Sequence, residues 1–145
     1  MIKVEDMMTR SPHTLLRSHS LSDARDMMSA LDIRHIPIVD TDRSLLGIVT
    51  QRDVLAAQES SLLNGSTQLS YTAETPLREI MHTKLMTVTP QAGLKESAKY
   101  MQKHKVGCLP VVENNQLIGI ITDSDFVAIA INLLELQEDT ELDQL

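Results

Sequence analysis

The run Val106-Gly107-Cys108-Leu109-Pro110-Val111-Val112, followed by Leu117-Ile118-Gly119-Ile120-Ile121-Thr122 and then Asp123-Ser124-Asp125, decides the fold. The two apolar blocks are β-branched and too short for helices. The polar Glu113-Asn114-Asn115-Gln116 between them has a turn composition, so together they predict a hairpin. Pro110 places its end of the first strand at a start or an edge. Thr122-x-x-Asp125 stands where the second strand hands over to a helix. The same block occurs earlier as Ile33 to Val39, Leu45 to Thr50 and Gln51-Arg52-Asp53. The chain is a duplicated unit.

A shift of 73 residues aligns the copies, pairing Met8 with Met81, Thr14 with Thr87, Leu21 with Leu94, Met28 with Met101 and Pro37 with Pro110. Beyond the hairpin turn the shift becomes 72, pairing Gly47 with Gly119, Thr50 with Thr122 and Asp53 with Asp125. A one-residue change belongs in a turn, and Asp40-Thr41-Asp42-Arg43-Ser44 against Glu113-Asn114-Asn115-Gln116 supplies it. Each copy opens with a turn of helix at Val4 to Met8 and Leu77 to Met81, the second behind Thr75-Pro76. Ser11 to Leu15 and Lys84 to Val88 read as short extended segments. Helices follow, with Leu21, Ala24, Met28 and Leu31 in the first copy and Leu94, Ser97, Ala98 and Met101 in the second at core-facing spacing.

The boundaries are therefore 1–57 for the first repeat, 58–74 for a polar, partly mobile connector turned at Asn64-Gly65-Ser66, 75–137 for the second repeat with a C-terminal helix, and 138–145 for an acidic tail expected to fray. After Asp125 the C-terminal helix carries Phe126, Ile129, Leu133 and Leu136 on one stripe and Val127, Ile131 and Leu134 on a neighbouring one. That is wider than one core face, so the helix is expected to pack on the sister repeat and on another subunit.

With 145 residues, 42% of them hydrophobic, the chain can bury a core. Its formal net charge of −7 argues against a nucleic-acid or anionic-membrane surface. One cysteine, Cys108, excludes an intramolecular disulfide and a cysteine-based zinc cage, which fits a reducing compartment. The N-terminus has no apolar targeting region and the longest apolar-rich run, Phe126 to Leu134, is too short to span a bilayer, so a cytoplasmic location is expected. His13, His19, His35, His82 and His104 form no H-x-x-H or H-E-x-x-H pair, and no catalytic triad or phosphate loop is present, so neither metal binding nor enzymatic activity is expected. Cys108, in an apolar strand, reads as a small buried thiol rather than a reactive one.

Thr50-x-x-Asp53 and Thr122-x-x-Asp125 allow two readings. A Thr at a strand end and an Asp one helical turn later aim their oxygens into one crevice beside helix N–H groups. That arrangement suits ribose hydroxyls and phosphate. The same spacing caps a helix with no ligand present.

The repeat as a whole resembles the CBS domain, the cystathionine β-synthase type module that occurs in tandem pairs. The resemblance rests on Met7-Met8-Thr9 and Ile80-Met81, Arg34-His35-Ile36-Pro37 and Gly107-Cys108-Leu109-Pro110, and Gly47-Ile48-Val49-Thr50-x-x-Asp53 with Gly119-Ile120-Ile121-Thr122-x-x-Asp125. The chain is also similar to the CBS part of acetoin-utilisation B-type proteins. The resemblance implies an α/β (α+β) fold of two βαββα repeats with pseudo-twofold symmetry, packed through their sheets, and a disc-like homodimer. It implies two clefts, each shared between repeats. One would use Ser11, His13, Ile33, Arg34 and Ile36 with Ile120, Thr122, Ser124 and Asp125. The other would use Lys84, Met86, Val106, Gly107 and Leu109 with Ile48, Thr50, Arg52 and Asp53.

Adenosyl ligands (AMP, ADP, ATP or S-adenosylmethionine) are the implied occupants, with no required cofactor and magnesium only as the companion of a polyphosphate. Adenine would lie between aliphatic side chains, in keeping with the absence of Trp. The module would regulate an effector protein through dimer shape. The alternative is a ligand-independent dimerisation scaffold whose Thr-x-x-Asp motifs only cap helices. Arg34, where the family is commonly small, either contacts phosphate or crowds its cleft. Asp123 adds negative charge beside Asp125 where the other copy has Gln51 and Arg52, so the Asp53 cleft is expected to favour polyphosphates more than the Asp125 cleft.

Overall fold

The computed structural model describes residues 1–63 and 71–143. The expected turn at Asn64-Gly65-Ser66 lies outside the described residues. The first repeat runs α1 (Val4–Met7), β1 (Thr9–Arg10), β2 (Leu15–Leu16), α2 (Leu21–Leu31), β3 (His35–Val39), β4 (Leu45–Thr50) and α3 (Gln51–Leu63). The second runs from a 3-10 turn (Leu77–Glu79) through α4 (Leu94–His104), β5 (Cys108–Glu113) and β6 (Gln116–Thr122) to α5 (Asp123–Asp143). This is the expected mixed α/β pair of repeats.

Local chemistry accounts for the element ends. Ser20 caps α2 through a reciprocal box with Asp23, each side chain accepting from the other's backbone N–H. The β5–β6 turn places Asn114 and Asn115 at φ 53° and 64°, a two-residue turn with both central residues left-handed, which asparagine tolerates and which matches strand twist. Leu31 is 43% exposed, so the stripe on α2 ends at Met28. On α4 the buried Ser97 satisfies its hydroxyl by donating to the Gly93 carbonyl at 2.9 Å.

The two three-stranded sheets are not each made by one repeat. One has the order β2-β3-β4. In the other, β1 of the first repeat pairs antiparallel with β6 of the second, giving β1-β6-β5. The reciprocal pairing is a bridge between His82, at the start of the second repeat, and Ile48 of β4, and Thr9 to Ile120 is its counterpart under the repeat shift. The cores follow the same exchange. Leu77, with Ile80 and Met81 against it, lies in the core built on Leu21, Met28, Ile36 and Val49, whereas Val4 and Met8 pack with Val111 of the second repeat.

Gly47 and Gly119 make the exchange possible. A Cβ on Gly47 would lie 2.8 Å from the His82 carbonyl oxygen, and one on Gly119 would lie 3.0 Å from that of Thr9 and 2.5 Å from Met8 Sδ. Neither φ is positive, so what these glycines supply is space rather than backbone freedom.

Two expectations are corrected. Helix α3 continues to Leu63, six residues into the stretch read as a connector from residue 58. Helix α5 continues to Asp143, through most of the tail expected to fray. The first extension holds Gln58, Glu59, Leu62 and Leu63 and the second Glu138, Glu141 and Leu142, which sustain a helix even where the charge is unfavourable at a C-terminus. Within α5, Phe126 and Ile129 pack on the second core, while Val127, Ile131, Leu133, Leu134 and Leu136 are each half or more exposed.

Candidate functional site

Each Thr-x-x-Asp is a complete helix cap. Thr50 donates to Asp53 Oδ2 from its backbone N–H at 2.7 Å and from its hydroxyl at 2.9 Å, while the Asp53 N–H donates to Thr50 Oγ1 at 3.3 Å. At the second motif the Thr122 N–H donates to Asp125 Oδ2 at 2.8 Å and the Asp125 N–H to Thr122 Oγ1 at 3.2 Å. One carboxylate oxygen of each Asp is therefore committed to its own helix. The other faces the opposite repeat: Asp53 Oδ1 is 2.7 Å from His82 Nε2, and Asp125 Oδ1 accepts from the Thr9 hydroxyl at 3.3 Å. Thr9 and His82 are equivalent under the repeat shift, so opening segment and aspartate are stapled across both seams.

A cleft of about 720 Å³ opens on the Asp53 side. It brings together Lys84, Met86, Val106, Gly107 and Leu109 of one repeat with Ile48, Thr50 and Arg52 of the other, eight of the nine residues predicted for this site. The ninth, Asp53, lies just beneath through its bonds to Thr50 and His82. Arg34, His35, His82, Lys105, Cys108 and Asp123 also line it. Of these, only Arg34 was predicted as a ligand contact, and for the other cleft.

On the Asp125 side Ser11 adopts φ 47° and donates its N–H to the Ile118 carbonyl, continuing the β1–β6 pairing by one residue. His13 is exposed, Ile33 borders a smaller cavity between α2 and α3, and Ile36 has no accessible surface at all. Ile36 is a core residue, packed in the cluster that holds Leu21, Met28 and Val49. Ile120 is 5% exposed, and Thr122 is the cap already described. Arg34 Nη2 donates to Ser124 Oγ at 3.2 Å and lies 3.4 Å from Asp123 Oδ1. Arginine here thus crosses to the opposing helix start, where its counterpart Gly107 carries no side chain. A Cβ on Gly107 would lie 2.7 Å from His35 Nε2, so the room that glycine leaves is taken by the imidazole.

Burial holds the His35 imidazole below its ordinary pKa, against the opposing pull of Asp123. The Cys108 thiol is pushed up to about 12, chiefly by burial and further by Asp123, so it is protonated and unreactive at neutral pH. Among the described residues no group of three His, Cys, Asp or Glu side chains is placed to hold a metal ion. No helix among them is long and apolar enough to cross a membrane.

Exchanged opening strands, a pseudo-twofold pair of capped aspartates and a cleft shared between repeats define one tandem module rather than two independent domains. The chain belongs to the CBS domain family, which it matches over residues 4–60 and 77–132. It is 70% identical to a Vibrio cholerae protein whose crystal structure is described as that of "a putative acetoin utilization protein (AcuB)", with 96% of this chain and 97% of that one covered and a TM-score of 0.82. It is 26% identical to CBSX2, crystallised in complex with AMP, covering 92% and 98% with a TM-score of 0.78. The CBS domain pair of MJ0100, in complex with 5-methylthioadenosine and S-adenosyl-L-methionine, is 25% identical over 88% of this chain and 98% of that one, with a TM-score of 0.73.

Sequence reasoning missed Thr9 and His82 as partners of the aspartates, and Lys105 as a cleft residue. For the first two a signal was present. They are paired by the 73-residue shift directly after the Met8 and Met81 match.

Proposed function

We propose that this protein is a regulatory module without chemistry of its own that binds an adenosyl ligand in the cleft above Asp53 and transmits occupancy to an effector protein through the shape of a homodimer in the cytoplasm. The observation carrying this reading is the cleft itself, in which aliphatic Ile48, Met86, Val106 and Leu109 lie beside Thr50 and the start of α3. Aliphatic walls suit adenine, and a carboxylate with a helix N-terminus suits ribose and phosphate. The AMP and S-adenosyl-L-methionine complexes of the related pairs support the same ligand class. A ligand signals only if it binds two shapes of the dimer unequally. The exposed apolar side of α5 is the surface on which a second copy would pack.

Calorimetric titration with AMP, ADP, ATP and S-adenosylmethionine tests the reading. At least one binds the native chain, and Asp53→Ala weakens it by more than Asp125→Ala does. Absence of binding at millimolar ligand refutes it. Sedimentation tests the dimer: Leu133→Glu with Leu134→Glu yields a monomer, and a native chain that is monomeric at all concentrations refutes the dimer.

A second reading, a ligand-independent scaffold, draws on the completeness of both helix caps, which account for the Thr-x-x-Asp pattern with nothing bound. The same titration separates the two.

A further inference from the structure

Four cations and one carboxylate line the Asp53 cleft, with Asp53 itself just beneath, so the cleft is net positive in a chain whose formal net charge is −7. Four segments each bring one cation to it: Arg34 ahead of β3, Arg52 in the first turn of α3, Lys84 in the opening segment of the second repeat and Lys105 at the end of α4. One acidic residue, Asp123, is on the lining, and Arg34 is the cation beside it. Among the described residues, Arg52, Lys84 and Lys105 have no carboxylate within 4.0 Å. Cations that converge without partners repel one another, and a polyanion relieves that.

We propose that this cleft selects an adenine nucleotide carrying a chain of phosphates, and that Arg34 and Lys105 are the residues that tell a triphosphate from a monophosphate. The proposal rests on the reading of the cleft as an adenosyl-ligand site. One phosphate engages one or two of these cations, whereas a chain of three can reach charges on both sides of the cleft. The volume of about 720 Å³ leaves room for the longer ligand.

Lys105 is held at φ 55°, a left-handed conformation that glycine adopts freely and lysine does not. A cation is favourable at a helix C-terminus, but Lys103 and His104 already provide that for α4. Its counterpart Asp32 ends α2 in the same conformation at φ 53°, so this is the turn that closes the helix in both repeats, and at the end of α4 it sets Lys105 on the cleft lining. Arg34 is available for the same task. Its side chain and that of Asp123 are 55% and 51% exposed, so their pairing is weak, and a guanidinium exchanges such a partner for a bidentate phosphate with little loss.

The test is isothermal titration of the intact chain at low ionic strength, without magnesium, using adenosine, AMP, ADP, ATP and inorganic tripolyphosphate. Affinity rises from AMP through ADP to ATP by about tenfold or more, and added salt narrows the difference. Arg34→Gln and Lys105→Gln each weaken ATP by about two- to fivefold and leave AMP unchanged, as expected for partly exposed charge contacts. Arg34→Lys restores part of the loss, and Lys99→Gln, on α4 outside the cleft lining, changes neither ligand. Thermal melts of each variant show that the fold is kept.

Equal affinity for AMP and ATP, or ATP binding indifferent to both Gln variants, overturns the proposal. If AMP then still depends on Asp53, the adenosyl reading survives without it. Tripolyphosphate binding as tightly as ATP, with adenosine silent, overturns the adenosyl reading while upholding selection by phosphate number.

Discussion

Gly47→Ala tests whether the exchange of opening strands holds the two repeats together. The added Cβ would meet two atoms at 2.8 Å, the His82 carbonyl oxygen and Met81 Sδ. The sulfur can rotate away, but the carbonyl is backbone and must move. It accepts the Ile48 N–H at 3.0 Å, and the His82 N–H donates back to the Ile48 carbonyl at 2.9 Å. Losing both bonds costs about 1–3 kcal/mol, and refusing to move costs a similar amount as overpacking. Alanine returns about 0.5–1 kcal/mol by restricting the unfolded chain. The net is a loss of about 1 kcal/mol, or a fall in Tm of about 3–4 °C for a chain of this size.

Gly119→Ala is the matched control. Its closest neighbour is the flexible Met8 side chain, and the Thr9 carbonyl stands off at 3.0 Å, so the loss is smaller. Thermal unfolding by circular dichroism measures both, and hydrogen exchange at the Ile48 and His82 amides locates the damage. Unchanged Tm in Gly47→Ala with both amides still protected would refute the reasoning, as would a larger loss in Gly119→Ala.

His82→Ala removes the hydrogen bond to Asp53 Oδ1. With the imidazole 62% exposed, stability falls by only about 0.5–1 kcal/mol, and adenosyl affinity stays level or tightens because that oxygen is released; weakened binding in calorimetry would instead make His82 a ligand contact. The depressed pKa of His35 makes the unfolded chain bind the extra proton first as pH falls. Its contribution is therefore complete above the unfolded value of about 6.5 and is lost below it, and urea midpoints between pH 5 and 8 show a slope that His35→Gln reduces. Cys108 is only half-buried, but with its thiol at about 12 it reacts with iodoacetamide at pH 8 far more slowly in the folded protein than in urea, and equal rates would contradict that shift.

Much of this architecture was legible because duplication offers each pattern twice. The hairpins could be read from β-branched runs of Ile36 to Val39 and Val111 to Val112 bounded by turn residues, and the one-residue difference between copies fell in the turn as expected. Contacts between copies were less legible. Nothing in the composition of Thr9-Arg10 marks a strand, since a two-residue strand has no periodicity, and it forms because Gly119 lets the chain approach β6. Gly47 and Gly119 are aligned by the repeat, but what they make room for lies about 35 and 110 residues away in sequence, beyond the reach of any local pattern.

The Asp53 cleft was readable as a set because Thr50-x-x-Asp53 and Val106 to Leu109 are motif residues. Lys105 was not, because what brings it there is the left-handed turn ending α4, at a position where glycine is the usual signal. The length of α5 was misjudged by weighing the acidic residues after Leu136 above their helix propensity.

The reciprocal loan of opening strands also decides what kind of reaction assembles the molecule. A single repeat has a β4 or β6 edge that its own opening segment does not cover, and an opening segment whose apolar residues have no home in it. Two separate repeats could meet those needs only by colliding, with a yield set by their concentration. Carried in one chain, they see each other at the effective concentration a short tether imposes, on the order of millimolar. Assembly of the cleft is then first order and indifferent to dilution. Cutting the chain between the repeats would make it second order, and the two fragments would regain the cleft only as they are concentrated.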